Sequence, residues 1–316
     1  MTKNKTSHIS HPKYWGVWIG FGLLALTVTI FPYSILKVIG RGLGKAVTPL
    51  IKKRSHIIQR NLELAFPEMP DIEKQRISDE VHKNTGLALI ETGIAWFWPT
   101  WRFKRLITFK NAHHLADLEQ QKKGVLVVCT HMLNLEITSR AFTLVGASGF
   151  GVYRPHENPA IEFIQCWRRT AFGNGLIDRE DIRGMVRLLR KGGRLWYLPD
   201  QDYGSNNSVY VPFFAFEKAC SPAGTGFLVD KGKCAVITGS SVRTGNKYCL
   251  EIDNDLSSEF PTKDPEGAAI VMNRAIEKVI LRGIDQYMWM HRRFKTMHDG
   301  SDRGRLYDSE VLKAKC

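Results

Sequence analysis

No Asp or Glu precedes Glu63 in this 316-residue chain. Ten bases do: Lys3, Lys5, Lys13, Lys37, Arg41, Lys45, Lys52, Lys53, Arg54 and Arg60. The formal net charge of +14 therefore belongs largely to one end of the molecule. Charge of either sign is absent again from Tyr14 to Leu36, a run of 23 residues. None of the six cysteines forms a C-x-x-C pair, which argues against structural zinc. Their scatter suits a reducing compartment. There is no G-x-S-x-G elbow, so an α/β-hydrolase is disfavoured, and no G-x-x-x-x-G-K-[ST], so a P-loop is excluded. No repeat of 20–50 residues is visible, which argues against a solenoid or propeller. With 43% hydrophobic and 24% charged residues, wholesale disorder is excluded too.

As one helix the uncharged run would reach roughly 34 Å, enough for the ~30 Å hydrocarbon core of a bilayer. Trp15 and Trp18 lie near one end, Phe31 and Tyr33 near the other, where amphipathic rings favour the interface. A cleaved signal would have a shorter apolar region and a small-residue cleavage site. The run predicts a retained transmembrane helix, in preference to a surface-lying anchor. Lys37, Arg41, Lys45, Lys52, Lys53 and Arg54 follow it and Lys3, Lys5 and Lys13 precede it, so the positive-inside rule puts the C-terminal side in the cytoplasm. The basic cluster also suits anionic headgroups. It abuts an apolar span with no nucleic-acid motif, so nucleic acid is not expected as a partner.

Thr48-Pro49 reads as a helix start, and Pro67 ends that segment. Asp71 to Trp98 reads as helix, crowded at its end by Trp96, Phe97, Trp98 and Trp101. Those rings suit either core packing or a membrane-facing rim or acyl groove. Val125–Val128, Arg194 to Leu198, Val209 to Phe214, Ala235 to Thr238 and Tyr248 to Ile252 read as strands. Leu135 to Leu144, Ile182 to Leu189 and Ala268 to Arg282 read as helices. The alternation predicts an α/β fold, a mixed, mainly parallel sheet flanked by helices. The expected organisation is an N-terminus (1–13), a transmembrane anchor (14–36), a basic juxtamembrane and helical region (37–120), an α/β catalytic core (121–296) and a polar tail (297–316).

Thr130-His131-Met132-Leu133-Asn134-Leu135-Glu136 follows the first of those strands. Within one helix, five steps of about 100° would set His131 and Glu136 roughly 140° apart. With His131 in the turn ahead of the helix, its ring can fold back so that Glu136 accepts from one nitrogen and the other serves as base. The helix N-terminus offers N–H donors to an oxyanion. Spacing alone leaves an ordinary surface histidine as the alternative. Cys129 as a nucleophile and His113-His114 as metal ligands are weaker readings.

Several motifs then fall in one order: Asn61-Leu62-Glu63-Leu64-Ala65-Phe66-Pro67, His131 to Glu136, Gly151-Val152-Tyr153-Arg154-Pro155 and Asp178-Arg179. Trp196 to Gly204 and Tyr287 to Thr296 follow. In these the chain resembles the late (secondary) acyltransferases of lipid A biosynthesis, in its His-Arg-Arg-Phe-Lys-Thr ending the lauroyltransferase-like branch. These are related to the H-x-x-x-x-D/E glycerolipid acyltransferases. The resemblance implies transfer of a fatty acyl chain from acyl-carrier-protein to the 3-hydroxyl of an acyl chain on a lipid A precursor. His131 would be the base and Glu136 its orienting partner. It implies no metal and no cofactor beyond the carrier-protein thioester, and a single-pass inner-membrane enzyme whose catalytic domain faces the cytoplasm. Arg154 could hold a phosphate or polarise the thioester, or form a salt bridge. Arg179 suits a phosphate or an internal ion pair equally. Asp200 and Asp202 could bind sugar hydroxyls, fix nearby arginines or shape a turn. His291, Arg292, Arg293 and Lys295 could dock acidic carrier protein or anionic lipid, or form a solvated face. Alternatives are another membrane-lipid acyltransferase with the same dyad, a non-catalytic module binding anionic lipid, and a secreted hydrolase.

Overall fold

The computed structural model describes residues 9–299 and 305–307. Most of the polar tail therefore lies outside the described residues, as do Lys3, Lys5 and Cys316. In chain order the elements are α1 (Trp15–Ile30), α2 (Tyr33–Val47), α3 (Lys52–Ala65), α4 (Asp71–Phe97), α5 (Thr100–Lys104), β1 (Ile107–Lys110), α6 (His113–Gln120), β2 (Val125–Val128) and α7 (Leu135–Leu144). There follow β3 (Phe150–Tyr153), α8 (Pro159–Thr170), β4 (Gly175–Asp178), α9 (Ile182–Arg190), β5 (Arg194–Tyr197), β6 (Ser208–Phe213) and β7 (Phe216–Pro222). The last are α10 (Gly224–Gly232), β8 (Ala235–Thr244), β9 (Lys247–Ile252) and α11 (Pro265–Leu281).

Seven strands form one sheet in the order β1-β9-β8-β2-β5-β3-β4. All neighbours run parallel except β8 and β9. This is the mixed, mainly parallel sheet that the alternating pattern predicts. The central strand β2 is buried along its whole length, as expected where helices cover both faces. Val125 and Val127 join the core under α4, α7 and α8, while Leu126 and Val128 join the core under α9, α10 and α11. Strand β6 departs from the expectation: it pairs antiparallel with β7 in a separate hairpin rather than joining the sheet. Thr48 does not cap a new α-helix: it follows directly on α2 and opens a short 3-10 turn, and its hydroxyl donates back to the Gly44 carbonyl at 2.9 Å.

The uncharged N-terminal run is not one helix. It breaks at Phe31-Pro32, where Phe31 is extended, and α2 begins at Tyr33. Pro32 has no N–H to continue the ladder, and it disfavours the helical conformation in the residue before it. Pro12–Ile30 is by length and composition apolar enough to cross a membrane. Yet α1 does not stand away from the body. Leu24 and Val28 are buried against α4. The Trp98 indole donates to the Val28 carbonyl at 2.6 Å, and Arg102 donates to the carbonyls of Thr29 at 2.8 Å and Phe31 at 2.6 Å.

Helices α2 and α4 meet backbone to backbone. A Cβ on Gly86 would lie 2.1 Å from the Gly44 nitrogen and 2.4 Å from the Gly40 carbonyl. A buried polar cluster ties the pair to the sheet. Glu91 accepts from Arg243 at 2.7 Å and from the Tyr248 hydroxyl at 2.6 Å, and the Tyr248 and Tyr33 hydroxyls are 2.8 Å apart. Neither backbone can yield where the helices touch, so Gly86→Val should force them apart. It should cost about 1–3 kcal/mol of stability, read as a lowered unfolding midpoint; an unchanged midpoint would contradict the close approach.

Candidate active site

Strands β2 and β5 are parallel neighbours, with Val128 opposite Tyr197. Three residues beyond each strand end, the register sets His131 facing Asp200. The His131 ring nitrogen Nδ1 lies 2.7 Å from Asp200 Oδ1, and the His131 backbone N–H donates to Oδ2 at 2.8 Å. Asp200 is fully buried. Burial alone would raise its pKa, but the charge and hydrogen bonds of His131 outweigh that and hold the carboxyl below the ordinary aspartate value. The carboxylate can only accept, so Nδ1 is the donor, and in the neutral form of the ring the lone pair falls to Nε2. Among the described residues no side chain bonds Nε2, and His131 stays partly open to solvent.

The loop is clamped from the C-terminal side. The His131 carbonyl accepts from Met288 at 3.0 Å, Leu133 donates to the Gln286 carbonyl at 2.7 Å, and the Tyr287 hydroxyl donates to the Asp200 carbonyl at 3.2 Å. The motif from Tyr287 to Thr296 thus works first as a strap across the site.

Glu136 is not the partner of His131, which corrects the expected dyad. One of its oxygens accepts from Arg169 Nε at 2.9 Å and the other from the Trp96 indole at 2.8 Å. The cause is geometric: α7 starts only at Leu135, so Glu136 sits in its first turn and faces α4 and α8. The nearer carboxylate for His131 comes from the adjacent strand. Arg169 and Trp96 carried no catalytic signal in the sequence, although Trp96 stood in the flagged aromatic cluster. Asp200 stood among the candidates, but for sugar binding.

An apolar cavity opens beside this ion pair, between the sheet and helices α7 and α8. Glu136, Arg169, Leu135, Phe142, Leu176, Trp196 and Leu198 stand in its walls. Trp196 and Leu198 face it while Tyr197 faces the other side of the sheet, as strand alternation requires. Tyr197 there lines a second cleft with Arg179 and Tyr203.

The remaining candidates divide by burial. Arg154 and Arg179 are exposed, with acidic neighbours Glu157 at 3.4 Å and Glu180 at 3.8 Å. Asp202 is buried and accepts from the Gly204 and Thr296 backbones and the Thr296 hydroxyl at 2.8–2.9 Å, so it locks the C-terminal strap and offers nothing to a sugar. Arg293 is 1% exposed, donates to the Cys220 carbonyl and the Ser221 hydroxyl, and lies over the Phe213 ring. It is a core cation and not a docking residue. Arg292 and Lys295 are half-buried, and Arg292 lies over the Tyr307 ring. His291 feels the charge of His131 and Asp200. Burial first, then Lys295 and His131, push its pKa down to about 4. Cys129 is buried, and burial raises its thiol to about 12, so it is no nucleophile at neutral pH. Among the described residues no three His, Cys, Asp or Glu side chains gather as a metal site.

Fold and site define the class: an α/β protein whose polar centre collects at the carboxyl ends of parallel strands, where such sheets bind ligands, with an apolar cavity walled in part by the same motif's Glu136. Residues 2–296 match the family model described as bacterial lipid A biosynthesis acyltransferase. The chain is 40% identical over 291 residues to the lipid A biosynthesis lauroyltransferase of Escherichia coli K12, covering 92% of this chain and 94% of that one. It is 38% identical to a lipid A biosynthesis acyltransferase of Haemophilus influenzae Rd, covering 95% and 96%, and 38% identical to the E. coli K12 palmitoleoyltransferase, covering 90% and 93%. The chain belongs to the bacterial lipid A biosynthesis acyltransferases. It is an acyltransferase, and its family implies a lipid A precursor as substrate.

Two aspartates two residues apart should then separate by experiment. Asp200→Asn should cut turnover by about 10²-fold or more, because an amide can donate to Nδ1 and leave the proton on Nε2. Asp202→Ala should instead cost roughly 3 kcal/mol of stability through three lost bonds to a buried carboxylate. Kinetics and thermal unfolding on both variants read the contrast, and equal kinetic losses would undo the assignment.

With its pKa pushed down to about 4, His291 is mostly neutral from pH 5 upward. His291→Gln should leave the shape of the pH–rate profile unchanged. A displaced acid limb would show that His291 titrates there.

Proposed function

We propose that the enzyme moves a fatty acyl chain, lauroyl-like in length, from acyl-carrier-protein to the 3-hydroxyl of an acyl chain on a lipid A precursor. The observation that supports this best is the His131–Asp200 pair, with no side chain among the described residues bonded to Nε2; an apolar cavity is walled by Arg169 and by Glu136 of the same motif. In this reading Nε2 takes the hydroxyl proton as the oxygen attacks the thioester carbonyl. Asp200 holds the tautomer and stabilises the imidazolium that forms. The carbonyl oxygen gathers negative charge opposite Arg169, which Glu136 keeps oriented. The C–S bond then breaks, the imidazolium returns its proton to the leaving sulfur, and the ester remains. The chemistry uses no metal and no acyl-enzyme.

The exposed Arg154 and Arg179 suit phosphates of the acceptor, while Arg292 and Lys295 suit the acidic carrier protein. A cytoplasmic face of the inner membrane fits both substrates: the carrier protein is water-borne and the acceptor is a lipid. A lipid-binding module without chemistry needs the anchor and the basic face but not the open base.

The test is mass spectrometry of lipid A from cells with and without the protein, and with His131→Ala. The expected result is one added acyl ester that vanishes in the variant while lipid binding persists. An unchanged ester with His131→Ala would overturn the mechanism.

The same cavity suits the donor chain. At Gly151 an added Cβ would meet only Leu176 and Trp196 carbons at 3.7 and 3.8 Å, so a side chain fits and grows into the cavity. Gly151→Leu should shift the transferred chain to a shorter one, with about tenfold or more loss on the longer donor, as about 1.4 kcal/mol of lost contact produces. An unaltered chain length would place the acyl group elsewhere.

A further inference from the structure

On the reading that an acidic carrier protein delivers the acyl chain, we infer that it docks on the outer face of α9 and on Phe227 and Lys231 of α10. Charge points there first. No Asp or Glu occurs from Ile182 to Pro199, a stretch that holds Arg183, Arg187, Arg190, Lys191 and Arg194. Arg183, Arg187 and Arg190 recur at four and three residues and so form one stripe of α9, while Met185 and Leu189 turn into the core. The Arg190 Nε donates to the Lys231 carbonyl at 2.7 Å, which joins the stripe to α10. Arg183, Arg187, Arg190, Lys191 and Lys231 are all exposed. Among the described residues none of the five forms an ion pair. Like charges four residues apart oppose a helix, so the stripe is held without a counter-charge of its own and is free to meet one from outside.

Shape agrees with charge. A groove between α9 and α10 has these five cations in its walls together with Ile182 and Phe227, which are 43% and 48% exposed. Exposed apolar side chains ringed by cations complement an acidic protein face with an apolar centre. A small free anion would use the cations alone.

The groove is also continuous with the site. Ile182 and Phe227 line it and line as well the cleft of Arg179, Tyr197 and Tyr203. That cleft ends against the segment that carries Asp200. The Tyr203 hydroxyl donates to the Leu198 carbonyl at 3.2 Å, and Leu198 stands in the wall of the apolar cavity. Burial, and then the charge of Asp200, push the Tyr203 phenol up. A protein seated on α9 thus has a path along Tyr203 for the arm that bears its thioester. Arg292 and Lys295, half-buried in the strap, give a smaller footing.

An anionic bilayer is the other partner of suitable charge, and position disfavours it. Helix α1 packs on α4 and α8, over the sheet face that buries Val125 and Val127. Helices α9 and α10 cover the opposite face, which buries Leu126 and Val128. The apolar helix and the cationic stripe therefore lie on different sides of the sheet.

The test uses the full-length enzyme in detergent micelles with two donors, lauroyl-acyl-carrier-protein and lauroyl-pantetheine, an uncharged thioester without the protein. Arg183→Glu combined with Arg187→Glu should raise KM for the carrier-protein donor by about tenfold or more and leave kcat unchanged, because charge at a docking rim acts on encounter. Turnover of lauroyl-pantetheine should stay at the wild-type level, which also reports that the variant is folded. Lys104→Glu, the same charge change at an exposed position beside the far edge strand β1, should alter neither donor. An unchanged KM for the carrier-protein donor in the double variant would overturn the proposal, as would an effect confined to binding of phosphatidylglycerol vesicles. If the double variant loses both donors, Arg187→Gln decides: a KM raised for the carrier-protein donor alone supports docking on α9, and an unchanged one overturns it. A wild-type enzyme that uses lauroyl-pantetheine but not the carrier-protein donor would overturn the choice of donor itself, an outcome read before any variant is made.

Discussion

The parallel pairing of β2 with β5 is the constraint on which the site rests. It fixes where each chain leaves the sheet, and three residues further on it sets a histidine against a carboxylate. Both carboxylate oxygens are engaged by His131, one by its ring and one by its backbone. The contact therefore orients the imidazole and anchors its loop together. Without it the buried charge of Asp200 would stand uncompensated, a costly arrangement in a protein interior. In the proposed reaction, function and folding draw on the same ion pair.

The C-terminal strap depends on this edge in turn. The segment from Gln286 to Met288 bonds the His131 loop, and further along Thr296 caps Asp202 while Arg293 reaches the hairpin at Cys220 and Ser221. A run of basic residues that reads as a docking face is therefore divided. Arg293 serves the interior, while Arg292 and Lys295 keep some access to solvent. Charge on a sequence does not say which way a side chain turns. A guanidinium that can lie over Phe213 and donate to buried acceptors is stable inside.

Glu136 links the chemistry to the apolar N-terminus. Its carboxylate is shared between Arg169 and the Trp96 indole, and Trp96 stacks on Phe21. One aromatic ring separates the apolar N-terminal helix from Glu136. The cavity beside Arg169 is walled mostly by apolar side chains, and the Glu136–Arg169 pair supplies the charge in its wall.

Local pattern was legible from the residues alone. The apolar runs of β2, β5, β8 and β9 and the helices α4, α7, α9 and α11 follow from side-chain periods set by backbone geometry, and the strands β1, β3 and β4 escaped because Thr108, Lys110, Gly151, Gly175 and Asp178 interrupt any apolar run in them. The lopsided charge of the N-terminus and the place of His131 just beyond a strand were equally a matter of chain order. What required the tertiary structure was every pairing across distance. Asp200 lies 69 residues from His131, and Arg169 lies 33 from Glu136. Which carboxylate meets the imidazole depends on strand order, and whether α1 stands free or lies on the body depends on packing against α4 and α8. Neither is encoded in local spacing, because neighbours in a sheet are chosen by the whole core and not by the few residues on either side.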